Sequence, residues 1–205
     1  MMGKLVAFVG NCGSGKTTLA RLVCAAGGYR PLLEQHVERP FQQAFFADRS
    51  AGGFANQIDY LLYRAEQELA ARGEPGVGVL DGGLDQDFYL FTHLFHRKGY
   101  LNQAEFEVCR RFYDLARHTL PAPEVIVCLR ARQDVLAARR VARQRTVDIV
   151  QEQDLNTLDE LLAEWMQGAG QRSTVIELDT SREDIHFSAT LPGLMAQLRR
   201  VLEAA

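Results

Sequence analysis

Residues 10–17, Gly10-Asn11-Cys12-Gly13-Ser14-Gly15-Lys16-Thr17, constrain this chain more than any other stretch. They match the pattern G-x-x-x-x-G-K-[ST], and the flanks are those the pattern requires. Residues 4–9 form a short apolar run that reads as a buried strand, and a helical pattern follows through about residue 26. Such a loop turns successive backbone N–H groups inward onto phosphate oxygens, a conformation that glycine reaches cheaply. The helix behind it adds the positive end of its dipole. Lys16 would neutralise the β- and γ-phosphates, and Thr17 would offer its hydroxyl to Mg²⁺. Residues Gly10 to Thr17, with Thr18, are therefore expected to hold ATP, with Mg²⁺ bridging its phosphate oxygens.

The rest of the chain alternates short apolar runs with helical patterns. Strands are predicted at 4–9, 29–34, 77–80, 124–129 and 174–178, the second interrupted by Pro31. A loop with a short helix is predicted at 37–46, and longer helices at 54–72, 87–98, 102–118, 133–145, 148–167 and 191–202. This order predicts an α/β fold, a five-stranded parallel sheet covered by helices on both faces. No repeat, linker or low-complexity stretch divides residues 1–205, which read as one domain.

Composition narrows the partners. A net charge of −3 gives no electrostatic reason to expect a nucleic-acid polymer. Cys12, Cys24, Cys109 and Cys128 have no zinc or C-x-x-C spacing and read as reduced thiols of a cytoplasmic protein. Residues 1–10 lack the length and cleavage pattern of a signal peptide, and no apolar run approaches the roughly 20 residues of a membrane span. The five histidines are scattered, and Phe41, Phe45, Phe46 and Phe54 read first as core.

Four further segments carry chemistry: Glu34 through Pro40 and on to Asp48, Gln57 to Arg64, Asp81 to Asp87, and an arginine-rich stretch holding Arg139, Arg143 and Arg145, followed by Asp148. Together with the P-loop they resemble the deoxynucleoside kinases, in particular the bacterial deoxyadenosine/deoxyguanosine kinase branch, from residue 4 to about residue 187. The resemblance implies a P-loop NTPase fold with an arginine-rich lid at about 139–150. The reaction it implies is transfer of the γ-phosphate of ATP to the 5′-hydroxyl of a deoxynucleoside. It makes Glu34 the general base and Gln57 the reader of the base edge. Arg64 and Asp87 become a charged pair at the far side of the base pocket, and Asp81 an acid near Mg²⁺. Arg139, Arg143 and Arg145 match lid arginines, Asp148 an acid that binds the sugar 3′-hydroxyl, and Asp184 and Ile185 a loop that packs on the adenine of ATP. It also implies a homodimer.

The residues themselves agree in part. A carboxylate at the C-terminal end of a strand beside the P-loop strand lies in the crevice where α/β proteins bind ligands, within reach of a phosphate acceptor. Gln57 and Arg64 are seven residues apart and share a helix face; an amide that donates and accepts at once suits adenine. Arg132, Arg139 and Arg143 share a face too, and arginine forks suit a transferring phosphoryl group. Each residue also has a plain structural reading. Glu34 and the arginine stretch could be solvated surface, and Gln57 a core hydrogen-bonding group. Arg64 with Asp87 could be a buried ion pair, and residues 180–185 a surface turn.

One position departs from the resemblance. The related kinases carry an arginine directly after the acid at Asp81, pairing with the general base; here Gly82 and Gly83 follow. Arg39 or Arg130 could fill the gap, the substrate could be held differently, or activity could be low. Three functions therefore stand: a purine-preferring nucleoside kinase, a kinase of another small acceptor such as a nucleoside monophosphate, and an ATP-binding regulatory protein.

Overall fold

The computed structural model describes residues 2–33, 39–142 and 150–204. Five parallel strands make one sheet: β1 (Lys4–Gly10), β2 (Arg30–Leu32), β3 (Val77–Asp81), β4 (Val125–Arg130) and β5 (Thr174–Asp179), in the spatial order β2-β3-β1-β4-β5. The α/β expectation of a five-stranded parallel sheet is met.

Alternation along β1 sorts the core into two layers. Leu5, Ala7 and Val9 face one cluster of buried side chains, and Val6 and Phe8 face the other. The second layer is closed by α1 (Lys16–Gly27) and α9 (Leu191–Ala204), through Leu19, Val23, Leu194 and Leu198. The first is closed by α3 (Arg49–Arg72), α6 (Gln103–Thr119) and α8 (Asp154–Ala169), with α2 (Gln42–Ala47) under α3 through Phe45. Apolar residues on both faces explain why the strands read as unbroken apolar runs.

The chain builds β2 and β3 on one side of β1 and then crosses to β4 on the other, so the crevice opens at the tips of β1, β3 and β4. Register levels those tips: Phe8 lies opposite Asp81, and Gly10 opposite Leu129.

Several boundaries differ from expectation, each for a local reason. β2 keeps three residues, and Pro31 is tolerated because this is an edge strand. α3 begins at Arg49 rather than residue 54 because the Asp48 carboxylate caps it, accepting from the N–H groups of Ser50 and Ala51 at 2.9 and 3.0 Å. α6 starts as its Asn102/Glu105 capping box predicts. The helix expected from 148 begins at Asp154, whose carboxylate accepts from the N–H of Gln151. The helix expected over 87–98 is broken into α4 (Leu84–Gln86), a π-helical segment (Asp87–Thr92) and α5 (His93–Arg97). α7 (Gln133–Ala142) carries Arg139.

Candidate active site

The loop after β1 is built for a phosphate tail. Gly10, Gly13 and Gly15 all take positive φ. At Gly15 (φ 98°) a side chain would strain the backbone, and its Cβ would stand 2.7 Å from the Phe187 ring. Lys16 Nζ folds over the loop, donating to the carbonyls of Gly10 and Asn11 at 3.0 and 2.9 Å. The Thr17 hydroxyl donates to Asp81 Oδ2 at 2.5 Å. A hydroxyl and a carboxylate so paired beside the cradle fit Mg²⁺, which takes one or two protein oxygens and completes its shell with phosphate and water. Among the described residues no cluster of three or more His, Cys, Asp or Glu offers a different metal cage.

The loop is pinned by side chains the sequence did not single out for this. Gln86 Oε1 accepts the N–H of Gly10 at 2.8 Å. Asn11 Nδ2 donates to Leu155 O and to Asp159 Oδ1, at 2.8 and 2.7 Å, tying the loop to α8. Burial pushes the Asp159 carboxyl above its ordinary range. Thr180 Oγ1 donates to Ser14 O at 2.9 Å. No short-range pattern marks these residues, because each acts across long sequence separations.

A buried polar cluster lies near the tip of β3. Arg64 Nε donates to Asp87 Oδ2 at 2.7 Å, with both side chains about 95% buried. Gln57, also buried, donates through its amide nitrogen to Asp87 O at 3.1 Å and to the Thr92 hydroxyl at 2.9 Å. Thr92 Oγ1 donates to the same carbonyl at 3.1 Å. Asp87 O thus receives two side-chain donors at the start of the π-helical turn, a local widening of the kind that marks functional sites. Gln57 does here what its structural reading describes, and its amide nitrogen must leave these acceptors before it can donate to a base. Elsewhere, on α6, Arg117 bridges Glu68 and Asp85 at 2.7 Å each, and Tyr113 donates to Asp85. Burial and the Asp85 charge push the Tyr113 phenol far up, so it stays a neutral donor.

On α7, Arg139 Nη2 donates to Thr180 O at 2.8 Å and Glu183 O at 3.3 Å, while Nη1 is buried with no hydrogen-bond partner among the described residues. Arg139 therefore joins α7 to the 180–183 loop. The Asp184 carboxylate is engaged within its own turn, where the N–H groups of Ser188 and His186 hold it below the usual carboxylate range. Ile185 stands 76% exposed beside it. Arg39 and Arg130 do not fill the place left by Gly82: Arg39 is forked onto Asp59 and Arg130 is paired with Glu177. Arg132 pairs with Asp134. Glu34, Arg143, Arg145 and Asp148 lie outside the described residues. A cavity of about 230 Å³ lined by Asp85, Tyr89, Trp165 and Arg172 opens near the start of β4, away from the strand tips that carry the loop.

A glycine-rich phosphate cradle at one strand tip and a buried polar cluster near the neighbouring tip are features of a P-loop nucleotide-binding protein. The deoxynucleoside kinase family profile matches residues 6–203, and the chain belongs to that family. It is an enzyme of that class, a nucleoside-phosphorylating transferase. It is similar to a deoxyguanosine kinase of Bacillus subtilis (22% identity over 192 residues, 87% of each chain) and to a deoxyadenosine/deoxycytidine kinase of the same organism (22% over 147 residues, 71% of this chain and 68% of that one). Its fold matches deoxyadenosine kinase of M. mycoides. The structure of that enzyme with the products dCMP and dCDP superposes with a TM-score of 0.80 at 20% identity, over 96% of this chain and 99% of that one. The dATP-bound structure gives the same TM-score, over 97% and 100%.

Proposed function

We propose that the chain transfers the γ-phosphate of Mg·ATP to the 5′-hydroxyl of a deoxynucleoside, with purines preferred, releasing ADP and the 5′-monophosphate. The observation that carries this reading is the adjacency of the Thr17–Asp81 contact to the buried Gln57–Asp87–Arg64 cluster. The two share the tip of β3, so a nucleoside seated on the cluster turns its sugar toward the cradle. Thr17 and Asp81 would hold Mg²⁺, which would supply positive charge against the phosphate oxygens. The loop amides and Lys16 bind and orient the triphosphate. Glu34 takes the proton of the 5′-hydroxyl, Arg143 and Arg145 close over the phosphates with Arg139, and Asp148 holds the 3′-hydroxyl. Asp184 and Ile185 border the adenine, with Ile185 offering the apolar contact. The Bacillus relatives are named for deoxyguanosine and for deoxyadenosine and deoxycytidine, so two of the three named substrates are purines; we place the enzyme in nucleotide salvage in the cytoplasm. Among the described residues no helix is long and apolar enough to cross a membrane.

Coupled ADP release against nucleosides and nucleoside monophosphates tests this. Turnover with deoxyguanosine or deoxyadenosine is expected; turnover with monophosphates alone moves the acceptor class, and none despite tight ATP binding supports the regulatory reading. Glu34→Gln is expected to abolish transfer while ATP still binds, and full activity in it removes Glu34 from the mechanism.

The assembly we propose is a homodimer packed through α3 and α6. Leu62 and Leu69 on α3, and Val108 and Leu115 on α6, are all 42% or more exposed. Within each helix the two are seven residues apart and share a face.

A further inference from the structure

Three elements meet at the second residue of the phosphate loop. Asn11 is 2% exposed, and its carboxamide is fully engaged. Oδ1 accepts the N–H of Cys12 at 2.7 Å, and Nδ2 donates to Leu155 O at 2.8 Å and Asp159 Oδ1 at 2.7 Å, both on α8. A backbone carbonyl and a carboxylate only accept, so the carboxamide has one orientation, and the Cys12 N–H finds its acceptor only in that one. The Asn11 carbonyl is occupied as well, by the N–H of Ser14 at 3.2 Å and by Lys16 Nζ at 2.9 Å. Asp159 has a second oxygen, and Oδ2 accepts from Nε2 of Gln133, the first residue of α7. α7 meets the loop again at Gly13, where a Cβ would stand 2.9 Å from Leu136 O. One carboxylate therefore ties the loop, α7 and α8 together, and Asn11 passes the tie on to Lys16.

We propose that Asp159 is a positioning residue for the triphosphate, setting the loop and Lys16 against α7 and α8 through Asn11. It acts by preorganisation: a loop already held in its binding shape loses little freedom when the nucleotide arrives. What the site requires of Asp159 is two oxygens in fixed directions, one for each partner, rather than its charge. A negative charge beside a phosphate site works against binding. Asparagine can therefore do the same work, its carbonyl serving Asn11 and its amino group serving Gln133, whose exposed carboxamide is free to turn over. Alanine cannot, and it leaves Asn11 Nδ2 with Leu155 O alone.

This rests on the reading of residues 10–17 as the ATP site, and the experiment separates the two. Mg·ATP binding is measured by calorimetry on the unmodified protein, on Asp159→Ala and on Asp159→Asn, with steady-state kinetics and thermal melting alongside. Asp159→Ala is expected to weaken Mg·ATP binding about tenfold or more and to raise KM for ATP with it, while KM for the nucleoside stays unchanged. Asp159→Asn should restore binding to within about threefold of the unmodified protein. If the alanine variant fails to fold, Asp159→Ser, whose hydroxyl is too short to serve both partners, carries the same test. A role in stability alone predicts a lower Tm in Asp159→Ala with Mg·ATP binding within about threefold, and that result overturns the proposal. Binding as weak in Asp159→Asn as in Asp159→Ala also overturns it, because the charge would then be what the loop needs. No Mg·ATP binding by the unmodified protein overturns the reading of the loop, and this proposal with it. Absence of nucleoside turnover while Mg·ATP still binds overturns the acceptor reading alone.

Discussion

Cys12 sits inside the phosphate loop, between Asn11 and Gly13, and is half-exposed, whereas Cys24, Cys109 and Cys128 are buried. Burial raises the thiols of all three buried residues, Cys128 to about 11 and Cys109 to about 12. At pH 8 they remain protonated and shielded, and so unreactive. A thiol reagent at that pH is expected to modify one residue quickly, Cys12. Mg·ATP at about 100 times its Kd should slow that modification about a hundredfold, because loaded loop and free loop are in mass-action balance. Timed labelling followed by peptide mass measurement checks this. A Cys12 rate indifferent to nucleotide would mean that the triphosphate does not lie on this loop.

The loop is rigid because neighbouring elements hold it, and the 180–190 segment holds the part nearest α1. Phe187 is buried with a positive φ of 49°, unusual outside glycine, and its ring fills the space that Gly15 leaves. Phe187→Ala should cost about 3–5 kcal/mol of stability and release Gly15. The expected readout is a lower Tm together with a raised KM for ATP and an unchanged KM for the nucleoside. Equal rises in both KM values would show that Phe187 serves only the core. Thr180→Val removes the hydroxyl that donates to Ser14 O, while Arg130 O keeps the Thr180 backbone N–H. Leaving the Ser14 carbonyl without that donor should cost about 1–3 kcal/mol and raise the same KM. These contacts show what a sequence can display and what it cannot. The strand–loop–helix unit was legible because its residues are contiguous and their chemistry is fixed by phosphate. The pairing of Arg64 with Asp87 was legible through resemblance, and the placing of Gln57 and Arg64 on one helix face through spacing. Gln86, Asn11, Thr180 and Phe187 were not, since their partners lie between 76 and 172 positions away along the chain, as with Phe187 on Gly15. The π-helical turn was also hidden: residues 87–98 carry ordinary helical periodicity, and the widening follows from Gln57 and Thr92 both donating to Asp87 O.

At the scale of the whole molecule, α3 faces two ways. Its inner side carries the buried Gln57, Arg64 and Glu68, and its outer side exposes Leu62 and Leu69, as α6 exposes Val108 and Leu115. Arg117 of α6 locks onto Glu68 of α3, so the two helices form one platform. Four large apolar side chains on such a platform are costly in water, and each buried against a second copy would contribute about 1.5–3 kcal/mol before the costs of association. The paired variant Leu69→Glu/Leu115→Glu places two like charges on the face without touching the core. Light scattering across a dilution series should report a dimer for the unmodified protein and a monomer for the variant. Because the same helix carries Arg64, the monomer should also lose nucleoside affinity while keeping Mg·ATP affinity, whose cradle is built on β1 and α1. A monomeric unmodified protein with full turnover would remove the α3–α6 face from the assembly and from the acceptor site together.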